Sequence, residues 1–106
     1  MYEYRAEVER IVDADTVDLR VDLGFKVYQR MRVRLEGIDA PERFTPEGKV
    51  ATAWLTEKIP PGTHITIKTN KDKSGKYGRY LATLVLEGED LNKALVDSGN
   101  AVPYGK

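Results

Sequence analysis

Residues 17–35 alternate between apolar and polar side chains over nearly their whole length, and this pattern restricts the fold more than any other stretch of the chain. The apolar positions are odd-numbered: Val17, Leu19, Val21, Leu23, Phe25, Val27, Met31, Val33 and Leu35. A period of two predicts a half-buried antiparallel pair of strands that folds back near Gly24. Because opposed residues share a face, we predict odd-to-odd pairing across a three-residue loop, Gly24-Phe25-Lys26.

The rest of the chain predicts a small barrel. The other expected elements are a strand from about Tyr4 to Ile11, a helix begun by Thr45-Pro46-Glu47 and ended by Pro60-Pro61, strands His64–Lys68 and Tyr80–Leu86, a polar loop Asn70–Arg79, and a short helix from Leu91 that Gly99 can cap. Five strands with a helix after the third predict a mainly β fold with α: a five-stranded antiparallel Greek-key barrel of the OB type with a C-terminal helix. We expect residues 1–106 to form a single domain and a monomer.

Composition excludes several kinds of active site. The chain has no cysteine and a single histidine, His64, so thiolate chemistry, histidine-cluster metal sites and histidine-pair catalysis are ruled out. Lys plus Arg equals Asp plus Glu at 17 each, so attraction to nucleic acid would have to come from a local patch. No apolar run approaches the roughly 18 residues that span a bilayer, and the start lacks the apolar stretch of a signal peptide. We therefore expect no membrane association, and the cellular compartment is left open.

Four acids lie where two predicted strands end. Asp13 and Asp15 follow the first strand, and Asp39 and Glu42 follow the third. In a three-stranded meander these two ends meet at one edge of the sheet. Converging carboxylates repel unless a cation compensates, and oxygen ligands with water suit calcium. Any one of these acids, taken alone, is commonly a turn residue that bonds its own backbone.

Basic residues accompany these acids. Arg34 precedes Asp39 by five residues, and the predicted loop carries Lys71, Lys73, Lys76 and Arg79 around Tyr77. Such residues are either solvated surface charges or, with the tyrosine ring, groups that grip a phosphate and stack a base.

Three segments together resemble the staphylococcal nuclease (thermonuclease) family. They are residues 12–17 (VDADTV), 34–42 (RLEGIDAPE) and 76–79 (KYGR), with a closing helix around residues 92–96 (NKALV). The resemblance covers nearly the whole chain and implies an OB-fold barrel. It also implies a calcium-dependent phosphodiesterase that acts on DNA and RNA and leaves 3′-phosphate products.

The resemblance further implies a role for each matching position. Asp15 and Asp39, with the Ala40 carbonyl, match the metal ligands, and Asp13 matches an acid that supports them. Glu42 matches the residue that orients or deprotonates the attacking water. Arg34 and Arg79 match the two phosphate-binding arginines. Lys76 and Tyr77 match residues around the terminal phosphate of the nucleotide. Tyr104, the only late tyrosine, is the remaining candidate for a substrate contact.

The chain departs from the family pattern at several points. Ala14 replaces the usual glycine between the two acids, so that turn must suit a residue with a Cβ. Ala40 replaces a hydroxyl residue, which leaves a backbone carbonyl ligand intact. The hairpin at Gly24 is longer and the loop after Glu42 is shorter, so we expect altered access to the site. The 106 residues stop before the third helix of the best-known members, so we expect weaker or rearranged base stacking.

Two other interpretations remain open at this point. A non-catalytic OB module would bind nucleic acid without cleaving it, although such modules typically lack part of the acid and arginine set that is complete here. A peptide- or protein-binding barrel would show no salt-dependent affinity for DNA.

Overall fold

The computed structural model describes residues 2–74 and 80–104, with the backbone alone for residues 70–74. Within these residues the elements, in chain order, are β1 (Tyr2–Asp13), β2 (Thr16–Asp22), β3 (Tyr28–Leu35), β4 (Ile38–Asp39), α1 (Pro46–Lys58), β5 (His64–Ser74), β6 (Tyr80–Leu86), β7 (Glu89–Asp90), α2 (Leu91–Asp97) and β8 (Val102–Pro103).

Five long strands form a closed barrel. The sheet has the order β3-β2-β1-β5-β6-β7, and β3 also pairs with β6, which closes it. This closing pair is parallel, with Arg34 opposite Leu81, whereas the neighbours along the sheet are antiparallel. The short β4 and β8 form a separate two-stranded sheet. The prediction of a mainly β, OB-type barrel with one helix after β3 and one near the C-terminal end is confirmed.

The β2–β3 hairpin has the predicted register. Val17 pairs with Val33 and Leu19 with Met31, so odd residues face odd residues. The three-residue loop is closed by the Leu23 amide, which donates to the Val27 carbonyl at 2.9 Å. The tip of the hairpin lies outside the core, and Phe25 there is fully exposed.

The interior of the barrel is apolar and is covered at its ends by the two helices. Its large, fully buried side chains come from the strands and from both helices: Leu19, Leu35, Leu55, Ile59, Ile67, Leu84, Leu91 and Leu95. Trp54 packs against this core while partly exposed. Val50, also on α1, is 65% exposed.

Both helices begin at side-chain caps. The Thr45 hydroxyl accepts a hydrogen bond from the Gly48 amide at 2.9 Å, as the sequence predicted for a start at Thr45-Pro46. Asp90 caps α2 by accepting from the Lys93 amide at 3.0 Å. The second helix ends before Gly99, which adopts a left-handed φ of 83° and matches the predicted glycine cap.

The region after β5 differs from expectation. The strand continues to Ser74, although the sequence predicted a loop from Asn70. Most of the remaining predicted loop, including Lys76, Tyr77 and Arg79, lies outside the described residues. Among the helices that are described, neither is long and apolar enough to cross a bilayer.

Asn92 ties α2 to the barrel. Its side-chain oxygen accepts from the Leu84 amide at 3.1 Å, and its nitrogen donates to the carbonyls of Ala82 at 3.1 Å and Glu36 at 2.9 Å. The residue is 5% exposed, so these backbone groups have little access to water.

Replacement of Asn92 by alanine is therefore expected to lower the free energy of unfolding by about 2–3 kcal/mol, since it leaves buried backbone groups unsatisfied. Urea unfolding followed by circular dichroism measures this change. Asn100→Ala is the matched control, because its amide bonds the exposed Ser98 hydroxyl and its loss should have little effect. Equal stability of the two variants would contradict the proposed bracing by Asn92.

Candidate active site

The turn between β1 and β2 meets the end of β3, as the sequence predicted. The Leu35 amide donates to the Asp15 carbonyl at 2.8 Å, which joins the two segments through their backbones. Asp39 does not continue β3 but lies on β4, opposite Val102 of β8. A Glu36-Gly37 turn separates the two strands, and Gly37 has a left-handed φ of 82°.

The side chains of Asp15 and Asp39 converge on one arginine. Arg34 Nη2 lies 3.7 Å from Asp15 Oδ2 and 3.3 Å from Asp39 Oδ1, so the two carboxylate oxygens can be no farther apart than the sum of these distances. The Asp15 side chain is 6% exposed, that of Arg34 is 29% exposed and that of Asp39 is 51% exposed. The cluster thus runs from a buried carboxylate to a solvent-facing one.

Asp15 is held rigidly. Its Oδ1 accepts from the Thr16 hydroxyl at 3.1 Å, and its Oδ2 accepts from the Ala40 amide at 2.9 Å. Hydrogen bonds of this kind compensate the desolvation of a buried carboxylate. The bond to Ala40 also fixes the chain just after Asp39.

Asp13 holds the next part of the same segment. Its Oδ1 accepts from the Arg43 amide at 2.9 Å, directly after Glu42. The Glu42 side chain is exposed, and within residues 2–69 and 80–104 no described hydrogen bond or ion pair engages its carboxylate. Asp13 therefore contacts the backbone beside the predicted water-activating residue.

The turn between the acids accommodates its alanine. Ala14 is fully buried in the core and is absent from the residues with positive φ, so its Cβ creates no backbone strain. The methyl group fills space inside the barrel instead.

Tyr104 lies beside the arginine. The Arg34 guanidinium carbon is 5.5 Å from the centre of the Tyr104 ring, and the Tyr104 amide donates to the Gly37 carbonyl at 2.9 Å. Both side chains line a pocket of about 240 Å³ together with Leu81 and residues 35–38. Tyr104 is 62% exposed, so the residue is accessible to a ligand.

Arg32, two residues earlier on β3, is paired elsewhere. It forms a bidentate ion pair with Asp18, at 2.7 and 3.2 Å. The hydrogen bond to Asp18 and the charge of that carboxylate raise the pKa of the Arg32 guanidinium above its usual value. Arg34 and Arg32 thus share a strand face but have different surroundings.

The donors near Arg34 suit a hard cation with few protein ligands. Asp15 and Asp39 offer carboxylate oxygens, which are donors of the type calcium prefers, and the Ala40 backbone contacts Asp15 through its amide. No group of three acidic, histidine or cysteine side chains that could hold a metal occurs in the described part of the chain. An ion here would therefore rely on water and substrate for its remaining ligands.

Of the predicted site, the structure brings Asp15, Arg34, Asp39, the Ala40 amide and Tyr104 into contact with one another. Asp13 contacts the Arg43 amide, next in the chain to Glu42, and no contact described for residues 2–69 and 80–104 joins the Glu42 side chain to this cluster. The other predicted members, Lys76, Tyr77 and Arg79, lie outside the described residues. Sequence reasoning missed the contacts of Thr45 and Gly48 with the Glu42 backbone. A glycine in the first turn of a helix was the available signal.

Comparison with known proteins identifies the family of the chain. The family model described as "Staphylococcal nuclease homologue" matches residues 32–106. Endonuclease YhcR of Bacillus subtilis (strain 168) is 33% identical over an alignment of 114 positions, gaps included, that covers 96% of this chain and 9% of that protein. Thermonuclease of Staphylococcus intermedius is 33% identical over 99 residues (89% of this chain, 56% of that protein), and micrococcal nuclease of Shigella flexneri is 32% identical over 111 residues (96% and 59%).

The chain spans less than two thirds of the length of each of these relatives. The family match nevertheless includes most of the chain, from within β3 to residue 106, and contains Arg34 and Asp39 but not Asp13 or Asp15. Together with the confirmed barrel, this match shows that the chain belongs to the family of staphylococcal nuclease homologues.

Proposed function

We propose that this chain is a calcium-dependent nuclease domain that hydrolyses phosphodiester bonds in DNA and/or RNA. The observation that carries the proposal is the position of Arg34, whose Nη2 lies within 3.7 Å of two carboxylates at one end of the barrel. A guanidinium and a pair of acids at one site are what phosphate recognition and metal binding require. The relatives named as nucleases support the same function.

In this proposal Asp15, Asp39 and the Ala40 carbonyl hold the calcium ion. A bound ion opposes the charge that develops on phosphoryl oxygens and lowers the pKa of coordinated water. Asp13 acts on the chain rather than on the ion, because its carboxylate holds the Arg43 amide.

Glu42 positions the attacking water and accepts its proton. The carboxylate is exposed, so it can reach a water molecule beside a bound phosphate. Arg34 donates to the phosphoryl oxygens, where its positive charge stabilises the extra negative charge of the transition state. We assign the same electrostatic role, on the side of the leaving group, to Arg79, since an arginine stays protonated at ordinary pH.

Substrate contacts complete the proposed site. Tyr104 offers an exposed ring next to Arg34 for stacking on a base or sugar. Lys76 and Tyr77 are proposed to contact the terminal phosphate of the nucleotide.

Calcium removal is expected to abolish cleavage without unfolding the protein. Chelated protein, mixed with single-stranded DNA or RNA, should show no products until calcium is restored, and calorimetry should detect calcium binding by the protein alone. Binding of nucleic acid without cleavage at saturating calcium would favour the non-catalytic module instead. Cleavage at an unchanged rate in excess chelator would refute the metal-dependent mechanism.

A further inference from the structure

The first turn of α1 lies directly against the peptide group that follows Glu42. Gly48 is buried, and a Cβ added there would overlap the carbonyl carbon and oxygen of Glu42 and lie 2.9 Å from the Arg43 nitrogen. Its backbone is helical, so the position requires the absence of a side chain rather than an unusual φ. A glycine inside a helix costs about 1 kcal/mol relative to alanine, and this close packing explains its presence.

Thr45 fastens the same carbonyl oxygen. The Glu42 carbonyl accepts hydrogen bonds from the Thr45 amide at 3.0 Å and from the Thr45 hydroxyl at 2.7 Å. The same hydroxyl caps the helix by accepting from the Gly48 amide. One side chain therefore connects the helix start to the backbone of Glu42.

The opposite side of this segment is fixed by the acids of the β1–β2 turn. Asp15 accepts from the Ala40 amide and Asp13 accepts from the Arg43 amide, both at 2.9 Å. The Glu42 backbone is thus held between the turn and the helix. Since no described contact restrains its carboxylate, the position of that group depends on the backbone.

We infer that Gly48 and Thr45 are positioning residues for Glu42. The inference rests on the proposed function, in which Glu42 handles the attacking water. A general base must lie within hydrogen-bonding distance of the proton it takes, and a misplacement of about 1 Å can cost about 100-fold in rate. The contacts of Gly48 and Thr45 with one peptide group supply that precision.

Gly48→Ala is expected to lower kcat about 100-fold, because its Cβ displaces the Glu42 peptide. KM and the calcium affinity measured by calorimetry should remain close to those of the wild type, since the atoms nearest to the added Cβ belong to Glu42 and Arg43 and not to Asp15, Arg34, Asp39 or Ala40. Ala53→Gly is the matched control. It makes the reverse exchange at an exposed position of the same helix and should leave kcat unchanged.

Double variants separate positioning from a general folding defect. The double variants are assayed on a nitrophenyl phosphodiester, a substrate with which low rates can be measured. Gly48→Ala should cause no further loss of kcat when it is added to Glu42→Gln. In the Arg34→Gln background, Gly48→Ala should lower kcat by the same factor as in the wild type. The effects of residues that act as a unit are not additive, whereas the effects of independent residues are.

Substitutions at Thr45 test the same inference even if the protein does not fold with alanine at position 48. Thr45→Val removes the hydroxyl at nearly constant volume and should lower kcat. Thr45→Ser keeps the hydroxyl and should have the kcat of the wild type. The Arg43 amide resonance in a ¹⁵N NMR spectrum should shift in Thr45→Val and Gly48→Ala but not in Thr45→Ser.

The outcomes distinguish this inference from the proposed function. Wild-type kcat in Gly48→Ala or in Thr45→Val, or an equal loss from Gly48→Ala in the Glu42→Gln background, would overturn the positioning role while leaving the nuclease intact. A wild-type chain that cleaves no faster than Glu42→Gln would instead refute the proposed role of Glu42, and the positioning role would fall with it.

Discussion

Replacement of Arg34 by glutamine is expected to lower the rate of phosphodiester cleavage about 1000-fold, the scale seen when one charge-stabilising donor or an arginine at a transferring phosphoryl group is removed. The half-buried guanidinium is held by Asp39 and the Ile38 carbonyl, so its charge is aimed at the site before substrate arrives. Glutamine retains a donor but not the charge. Single-turnover cleavage at saturating calcium measures the effect on the chemical step.

Arg32→Gln is the control for this prediction. It removes the same side chain from the same strand, but from an ion pair with Asp18 that is exposed to solvent. Exposed pairs of this kind contribute little to stability, and this one does not touch the site. Equal cleavage rates for Arg34→Gln and Arg32→Gln would show that Arg34 has no specific role in the mechanism.

Replacement of Glu42 by glutamine is expected to lower kcat by about 10²–10⁴-fold, the usual contribution of a positioned general base. Glutamine has nearly the same shape and can still bind water, but it accepts no proton at neutral pH. Glu42 is not among the proposed metal ligands, so the calcium affinity should be unchanged. Quench-flow assays for the rate and calorimetry for the metal separate these two quantities.

Glu47→Gln is the control for Glu42, since it neutralises an exposed acid nearby, in the first turn of α1. Glu47→Gln should lower the free energy of unfolding by only a few tenths of a kcal/mol, which is what an acid contributes near a helix N-terminus. A Glu42→Gln protein with near-normal kcat would show that another group activates the water.

The sequence predicted those parts of the molecule that follow from local periodicity. The odd-to-odd register of β2 and β3 needs only the alternation and a loop length, and both are observed. The start of α1 at Thr45 follows from cap chemistry alone. The convergence of Asp15 with Asp39 followed from the expectation that strands of a meander end at alternating edges.

Features set by long-range contact were not predictable in the same way. The parallel pairing of β3 with β6 depends on how the sheet curls, which no local pattern encodes. Asp39 belongs to β4 because Val102 pairs with it, more than 60 positions later. The fit of Gly48 against Glu42 depends on the direction in which α1 leaves its cap.

The pairing of β4 with β8 determines when, during synthesis of the chain, the Asp39 segment can reach its final position. The β1–β2–β3 meander can form while later residues are still being synthesised, but its apolar face stays uncovered until β5, β6 and the helices arrive. Asp39 gains its strand partner only when Val102 leaves the ribosome. The backbone pairing that holds the Asp39 segment beside Asp15 and Arg34 is therefore completed only after both helices and all five barrel strands have been synthesised.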